Sequence, residues 1–399
     1  MGKYSELLKK GKGILHLVPT WVPRPFNEPG RRLRLHPDDY YAYGMERGGI
    51  CERWIGSVAK AKNGEGTTEF EGLSFVLADR KTNERVLLKD VIEDLGAEII
   101  GDELYRKYGT WPTYTKFFDY DKPLFHHLHL MKKDAEMIGE LEKPEAYYFP
   151  VQYNCSQLGR LPLTYYGFDP STTKEQVKEA IRNFTIKDNR LTELSRAYRI
   201  KIGTGWFTPA GVIHAPASVV TYEPQWNADG NTIMENLTMG EVNAEHFLTD
   251  CQPEDQKGDV EALFRQLNWE ECTRPDYKEK YYREPKIKEN EQENVTEKWV
   301  AYANDYVAAK EVSIAPGTTA VITDPACYSI IVTQGHGKIA DFKCEAPDLL
   351  RFGQNSADEF FVSEPAAKAG VVIENHSDYE PLVFLQHFAN NNPEVPTEV

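Results

Sequence analysis

The sequence predicts a mainly β protein of two β-barrel or jelly-roll units, with helices added to the first. The first observation is the composition: 22 Tyr, 18 Phe and 7 Trp accompany 28 Gly and 24 Pro, a mixture typical of short strands joined by turns. The second is the alternation of β-rich runs with Gly and Pro turns from residue 301 to residue 389. A length of 399 residues allows two or three domains, each able to bury a core.

The elements expected before residue 301 mix strands with helices. Strand patterns occur within residues 51–108, 111–153 and 199–237. Helical spacing occurs within residues 89–109, 171–198 and 253–271. Ser171, Thr172 or Thr173 is expected to cap the helix that follows them. Half of residues 273–300 are charged, which indicates a solvated linker.

These patterns predict three parts of the chain. An N-terminal barrel, residues 1–255, would bear the functional site and a helical insertion at about 155–198. A helix and charged linker would occupy residues 256–300, and a smaller C-terminal barrel residues 301–399.

The charge balance argues against two classes of main partner. The chain has 46 Lys and Arg against 62 Asp and Glu, a net charge of −16, whereas nucleic acids and anionic membranes attract basic surfaces. No apolar run approaches the roughly 20 residues that span a bilayer, and no secretory signal core is evident. We therefore expect a cytoplasmic protein that binds neither nucleic acid nor membrane. The six Cys residues form no C-x-x-C pair, so free buried thiols are expected.

Three histidines lie close together in the segment LFHHLHL. Because side chains alternate along a strand, His127 and His129 share one face and His126 points the other way. Two imidazoles on one face can bind one metal ion. The alternative interpretation is a surface cluster without a ligand.

The second informative segment is GTGWFTPAGVIH, residues 203–214. Pro209 and Gly211 are expected to form a tight turn before a strand that starts near His214. Such a turn could return His214 across a barrel toward the His-x-His strand. The spacing resembles the second half of the cupin signature, and together the two segments resemble a cupin metal site. The carboxylate ligand stays open: Asp134 has the general cupin spacing, and Glu136 lies close to it.

A narrower resemblance covers most of residues 50–390. Five segments resemble, in order, motifs of class I mannose-6-phosphate isomerases, which are zinc-dependent bicupins: ERW (52–54), LLKDVIEDLGAEIIGDE (87–103), TKFFDYDKPLFHHLH (115–129), KPE (143–145) and PAGVIHA (209–215). The resemblance implies two cupin (jelly-roll β-barrel) domains with a helical insertion, the second without metal. It also implies an aldose–ketose isomerase that transfers a proton through an enediol.

The resemblance implies four metal ligands: His127, His129, Glu145 and His214. The family has Gln at the position of His127. Zinc is the expected metal, and Mn²⁺, Fe²⁺ or Ni²⁺ are alternatives for the same donors.

Two residues are candidates for the catalytic acid or base. Lys143 matches a family residue near the substrate, and Glu223 matches a family carboxylate implicated in proton transfer. Lys116, Trp206 and Tyr222 are expected to bind the substrate, the first as a cation and the aromatic side chains by stacking on a sugar face.

Two departures from the family concern its phosphate contacts. Phe125 stands at the position of a family Ser, and residues 202–264 contain no Arg where the family has one. Losing a hydroxyl and a guanidinium removes much of a phosphate clamp. The substrate could then be a free sugar, or a sugar phosphate held in another way.

Two other functions remain as alternatives. A cupin dioxygenase could use iron at the same ligands, and a non-catalytic bicupin could bind carbohydrate. In each case the partner is a small molecule, and the protein is expected to be a monomer or a homodimer.

Overall fold

The computed structural model describes residues 2–154 and 162–399 and is mainly β, as predicted. Its α-helices are short: α1 (Ser5–Lys10), α2 (Leu88–Leu95), α3 (Ala97–Ile100), α4 (Asp102–Tyr108), α5 (Lys132–Met137), α6 (Lys174–Arg182), α7 (His246–Thr249), α8 (Val260–Arg265), α9 (Trp269–Cys272), α10 (Tyr277–Tyr281) and α11 (Glu364–Ala369). No helix in the described part of the chain has the length and apolar character needed to cross a bilayer.

The strands fall into two groups along the chain. The earlier strands are β1 (Ile14–Val18), β2 (Thr20–Arg24), β3 (Gly49–Ile55), β4 (Phe75–Asp79), β5 (Glu84–Leu87), β6 (Thr113–Phe118), β7 (His127–Leu128), β8 (Glu145–Tyr148), β9 (Leu163–Phe168), β10 (Ser195–Arg199), β11 (Gly205–Thr208), β12 (His214–Ala215), β13 (Thr221–Trp226), β14 (Thr232–Ile233), β15 (Leu237–Thr238) and β16 (Glu241–Val242). The later strands are β17 (Tyr282–Arg283), β18 (Lys286–Lys288), β19 (Val295–Ala301), β20 (Ala308–Ile314), β21 (Thr319–Ile322), β22 (Tyr328–Gln334), β23 (His336–Ile339), β24 (Phe342–Glu345), β25 (Glu359–Val362), β26 (Val371–Asn375) and β27 (Leu382–Phe388).

Two pairs of antiparallel sheets form the two barrels. The first barrel pairs a seven-stranded sheet, β17-β11-β8-β13-β6-β3-β2, with a five-stranded sheet, β10-β9-β12-β7-β14. The second pairs a nine-stranded sheet, β18-β19-β20-β27-β22-β25-β1-β4-β5, with a four-stranded sheet, β21-β26-β23-β24. Aromatic and branched aliphatic side chains fill each barrel, and the cluster of the first barrel also includes Ala309, Ile331 and Leu385 from strands of the second.

The N-terminal residues contribute strands to the second barrel's large sheet. Ile14 of β1 pairs with Val362 of β25, and β4 continues the sheet beyond β1. Conversely, β17 lies beside β11 of the first barrel. Chain segments therefore cross between the barrels in both directions, and the sequence-based boundaries at residues 255 and 300 stay a prediction.

The helical insertion is shorter than its sequence pattern predicts. Thr173 caps α6: its hydroxyl accepts from the Gln176 N–H at 3.3 Å, and Gln176 Oε1 accepts from the Thr173 N–H at 2.7 Å. The prediction of helix up to residue 198 is wrong, because α6 already ends at Arg182 and β10 occupies the last residues of the segment. Between them, Arg190 adopts a left-handed φ of 54°, which a continuous helix does not allow. The start of the expected insertion, residues 155–161 with Cys155, lies outside the described residues. The other five cysteines are free and buried, as predicted.

Candidate metal centre

Three histidines converge on the interior of the first barrel because β7 and β12 are neighbours. His127 and His214 are directly paired across these antiparallel strands, and their ring centroids lie 4.2 Å apart. His129 follows two residues along and is on the same side, with its ring 5.1 Å from that of His127. Ligand atoms of the three side chains all lie within 4.8 Å of one another. The predicted meeting of the His-x-His strand with His214 is confirmed.

The turn before His214 needs glycine at one position. Gly211 has a φ of +80°, and a Cβ there would lie 2.8 Å from the Met131 side chain and 2.9 Å from the Asn268 nitrogen. Its N–H donates to the His129 carbonyl at 2.7 Å. The turn is therefore tied directly to the His-x-His segment, and only glycine adopts this conformation without strain.

The three imidazoles share one hydrogen-bonding pattern. In each ring Nδ1 lies within hydrogen-bond distance of a backbone carbonyl, which accepts only, so Nδ1 carries the proton. The carbonyls are those of Phe125, Gly230 and Val212, at 3.0, 2.8 and 2.8 Å from His127, His129 and His214 respectively. Each Nε2 is then an unprotonated lone-pair donor. Holding one imidazole nitrogen by a carbonyl is how proteins orient metal-binding histidines.

The carboxylate comes from the opposite sheet of the barrel. Glu145 begins β8 and is fully buried, with its oxygens 3.1 Å from Nε2 of both His129 and His214. The Tyr147 hydroxyl donates to it at 2.5 Å. Asp134 and Glu136 lie on α5 instead, where Glu136 is exposed. The geometry thus favours Glu145 among the three candidate carboxylates.

The electrostatics keep these groups in the forms that bind cations. Burial lowers the pKa of His129 to about 4, with a further contribution from the Lys143 charge. Burial and the neighbouring His214 lower the pKa of His127. Burial alone would raise the pKa of Glu145, but Lys143 and His129 bring it well below its usual value. Neutral imidazoles beside an ionised carboxylate are the protonation states that a metal ion requires.

This donor set fits a divalent metal. Nε2 of His214 and Oε2 of Glu145 are buried without a hydrogen-bond partner. Nε2 of His214 nevertheless lies 3.1 Å from Oε1 of Glu145, and Oε2 of Glu145 lies 3.1 Å from Nε2 of His129. Lone pairs that face one another at such distances repel, and a cation between them removes the repulsion. Three imidazole nitrogens and one carboxylate oxygen suit zinc, and they also suit iron, manganese or nickel.

Lys143 and Glu223 lie beside this donor set. The Lys143 ammonium is 3.0 Å from Glu145, 3.1 Å from Nε2 of His129 and 3.3 Å from Glu223. Burial and the Glu145 charge raise the pKa of Glu223 to about 8. Its Oε1 is buried without a hydrogen bond, although the ammonium groups of Lys116 and Lys143 lie 3.4 and 3.3 Å away.

Lys116 faces Glu223 across β6 and β13. The two residues are paired in register, and the Lys116 ammonium lies 3.4 Å from Glu223 and 3.3 Å from Glu52. Lys116, Lys143 and Glu223 all line the same cavity as His127, His129 and Glu145. The structure therefore brings together most of the site residues that the sequence suggests.

The two aromatic candidates lie outside this cavity. Trp206 packs in the core against Tyr166 and Tyr277, with ring centroids 4.8 and 6.4 Å away. Tyr222 is adjacent to Glu223 in β13, so it points to the opposite face, where it packs against Phe117 at 5.3 Å. Neither ring is placed to stack on a ligand at the histidines.

A buried arginine in the cavity was not anticipated from the sequence. Arg24 donates to Glu52 at 2.8 Å and to both oxygens of Asp229, at 2.7 and 3.0 Å. Glu52 also accepts from the Tyr120 hydroxyl and from the Trp54 indole. The sequence contains one signal for it: Arg24 is the single charged residue in the run TWVPRPF. A cation in such an apolar segment tends to be buried, and a buried charge needs a partner.

The cavity at these residues is small, about 30 Å³. Such a volume holds an ion or roughly one or two water molecules. Arg24, Lys116 and Lys143 supply its positive charges, and its four carboxylates belong to Glu52, Glu145, Glu223 and Asp229.

Comparisons with known proteins agree with this geometry at the level of fold. No protein-family model matches the sequence, and no curated protein sequence does. Among solved structures, mannose 6-phosphate isomerase from Bacillus subtilis is similar with a TM-score of 0.62 and 17% identity, over 94% of this chain and 99% of that one. A variant of phosphomannose isomerase from Salmonella typhimurium has a TM-score of 0.64 at 11% identity, over 95% and 100% of the two chains.

A zinc-bound mannose 6-phosphate isomerase has a TM-score of 0.62 at 11% identity, over 94% of this chain and 99% of that one. Similarity over nearly the whole length of both chains includes both barrels and the segments between them. The protein therefore has the two-barrel cupin fold of the solved mannose-6-phosphate isomerases.

Proposed function

We propose that this protein is a metal-dependent aldose–ketose isomerase that acts on an unphosphorylated sugar. One observation carries the proposal: three Nε2 atoms and the Glu145 carboxylate converge beside a buried carboxylate, Glu223, that has an oxygen without a hydrogen bond. A Lewis acid next to a base favours isomerisation through an enediol, and this cavity places potential ligands for the one beside a candidate for the other. The fold that the chain shares with solved isomerases supports the same reaction class.

The metal ion would be held by His127, His129, His214 and Glu145. When bound, it would supply a positive charge that polarises the sugar carbonyl and stabilises the oxygen anion of the enediol. We propose zinc, because three imidazoles and one carboxylate are typical zinc ligands.

Glu223 is the better candidate for the proton-transferring group. In its ionised form, Glu223 can take the proton from one sugar carbon with its free oxygen and return it to the adjacent carbon. Because its pKa is raised to about 8, this form increases as pH rises toward 8, and the proposed turnover should rise with it. Lys143 is less suited to this step, because Glu145 and Glu223 raise its pKa above the usual value despite burial, which keeps the ammonium protonated. Lys143 instead would donate a hydrogen bond to a sugar oxygen and stabilise negative charge there.

Glu52 positions the cations around the reacting carbons. Its four hydrogen-bond donors include Lys116 at 3.3 Å and Arg24 at 2.8 Å, so both cations are held by a single fixed carboxylate. Lys116 would then stay beside Glu223 and help determine whether that carboxylate is protonated.

The charges in the cavity argue against a phosphorylated substrate. Arg24 is already bound by Glu52 and Asp229, and Lys116 and Lys143 each lie beside two carboxylates. A phosphate dianion needs donors that are free to bind it, and the described residues that line this cavity offer three cations already paired with carboxylates. Phe125, at the position of the family Ser, adds an apolar ring.

A screen of free and phosphorylated hexoses and pentoses tests the proposal. Zinc-loaded protein should interconvert at least one free aldose and its ketose, and in D₂O should introduce deuterium at the adjacent carbon that receives the proton. Glu223→Gln should keep the metal and lower kcat about 10²- to 10⁴-fold. Oxygen consumption by the iron-loaded protein would support a dioxygenase instead, and sugar binding without turnover or deuterium exchange would support a carbohydrate-binding protein.

Neighbouring histidines provide the matched control. His127 faces the metal site, whereas His126 points away and lies 3.0 Å from Glu235. His127→Ala should abolish turnover and metal binding, and His126→Ala should retain both. Equal loss in the two variants would contradict the assignment of the metal to this face of the strand.

A further inference from the structure

A second, larger cavity adjoins the metal cavity. It has a volume of about 380 Å³, and Phe26 and Phe125 line both spaces. The two rings meet edge to face with centroids 5.3 Å apart. They therefore form the boundary between the inner cavity and this outer cavity.

The walls of the outer cavity combine aromatic rings with hydrogen-bonding groups. Phe26, Tyr41 and Phe247 contribute the rings, and Asn243 contributes an amide. Phe26 and Phe247 are nearly perpendicular, with centroids 6.5 Å apart. Aromatic faces beside amides and carboxylates can match the apolar ring faces and the hydroxyl groups of a sugar.

The charge of the outer cavity disfavours an anion. Glu28, Glu46 and Glu241 line it, against one ammonium, Lys122. Lys122 forms an ion pair with Glu241, and Glu28 accepts a hydrogen bond from the Tyr41 hydroxyl. Since carboxylates outnumber cations, the local field repels a phosphate and tolerates a neutral ligand.

The two volumes differ in what they can hold. The inner cavity, about 30 Å³, has room for the metal and the reacting carbonyl end of a sugar, and the rest of that sugar would lie in the outer cavity. The outer cavity is within the range of about 300–1,000 Å³ that is typical of ligand sites. The remaining carbons of one reacting sugar would leave much of the outer cavity empty. A second sugar ring, a pyranose, would occupy much of that space.

We propose that the outer cavity binds a second, uncharged sugar unit, linked by a glycosidic bond to the sugar that reacts at the metal. This inference rests on the proposed isomerase function and extends it: the preferred substrate is a reducing disaccharide. The carbonyl end of the reducing unit passes Phe26 and Phe125 to reach the metal, and the second unit stays among Tyr41, Phe247 and Asn243.

Calorimetric titration of the zinc-loaded protein tests this proposal without requiring turnover. The probes are D-glucose, D-mannose, their 6-phosphates, and the 1,4- and 1,6-linked disaccharides with either hexose at the reducing end. At least one disaccharide should bind with a Kd tenfold or more below that of its reducing-end hexose. Equal Kd values for all disaccharides and hexoses, or tightest binding of a 6-phosphate, would overturn the proposal.

Three variants locate the extra affinity. Ala244 is exposed and lines the outer cavity, so Ala244→Trp should fill the space without disturbing the core and remove the preference for the disaccharide. Phe247→Ala should reduce that preference as well. Phe70→Ala, at a ring that is 45% exposed and packs against Phe75 elsewhere, is the matched control and should leave it intact. A preference that survives Ala244→Trp would also overturn the proposal.

Failure of the isomerase function would be recognised separately. Disaccharide binding that depends on Ala244 and Phe247, but without turnover or deuterium exchange of any sugar, would contradict the isomerase and retain the sugar-binding cavity. Turnover of free hexoses without any disaccharide preference would support the isomerase and contradict the second sugar-binding cavity.

Discussion

Arg53 connects the two barrels through a buried ion pair, and its removal should destabilise the protein strongly. Along β3, Glu52 faces the metal cavity and Arg53 faces the second barrel, where its guanidinium binds both oxygens of Asp358 at 2.8 Å. Glu359 lies 3.2 Å away. All three side chains are at most 2% exposed, so Arg53→Met would leave a buried carboxylate without its counter-charge.

The magnitude follows from counting the charges. Burial raises the pKa of Glu359 to about 8 even though Arg53 lowers it, so near pH 7 Glu359 is largely neutral. The two-oxygen contact with Asp358 is then the main interaction that the variant removes. Removing one partner of a buried pair costs about 3–5 kcal/mol. We therefore expect Arg53→Met to lower the free energy of unfolding by about that amount.

Urea unfolding followed by tryptophan fluorescence and by circular dichroism measures this cost. The control is Arg351→Met, because Arg351 also forms a close pair, with Asp39 at 2.6 Å, but its side chain is 58% exposed. An exposed pair contributes about 1 kcal/mol or less. If the two variants lose equal stability, burial does not determine the strength of the Arg53 pair and our reasoning is refuted.

Two further predictions concern, first, the turn before His214 and, second, His387, a buried histidine of β27 that packs against Trp111. Gly211→Ala should weaken metal binding and lower stability, because the added Cβ would meet Met131 in a left-handed turn; unchanged metal affinity, measured by competition with a chelator, would contradict this. Burial lowers the pKa of His387 from 6.5 to about 3, so the unfolded state binds the extra proton and stability falls as pH falls from about 6.5 toward 3. His387→Asn, which can keep a hydrogen bond to Ser329, should shift the midpoint of acid unfolding to lower pH. A midpoint that stays constant or rises would contradict a contribution of His387 to acid unfolding.

The parts of the site that the sequence predicts depend on local patterns. Strand alternation is enough to place His127 and His129 on one face, and the Pro209–Gly211 turn indicates the return of His214 toward them. Both patterns act over a few residues, and the structure confirms the meeting of the strands. Glu145 is indicated as a ligand only by its match to the family's Lys-Pro-Glu motif, because no local pattern distinguishes it from Asp134.

The parts that the sequence does not predict depend on contacts between distant segments. Arg24 reaches the cavity because Asp229, more than 200 residues later, meets it in the first barrel. The pairing of β1 with β25 likewise joins residues 14 and 362. Tertiary packing decides such contacts, and they leave no periodic signal in one sequence. Trp206 and Tyr222 show the converse: aromatic residues close to His214 in sequence are packed into the core.

The metal content of two carboxylate variants tests the central claim most directly. Elemental analysis of the purified protein should find about one divalent metal ion per chain, as expected for a single site. Glu145→Gln should lose that ion, and Asp134→Asn, at a carboxylate on α5 that is also largely buried, should retain it. Retention of the metal in Glu145→Gln, or its loss in Asp134→Asn alone, would contradict a centre formed by His127, His129, His214 and Glu145.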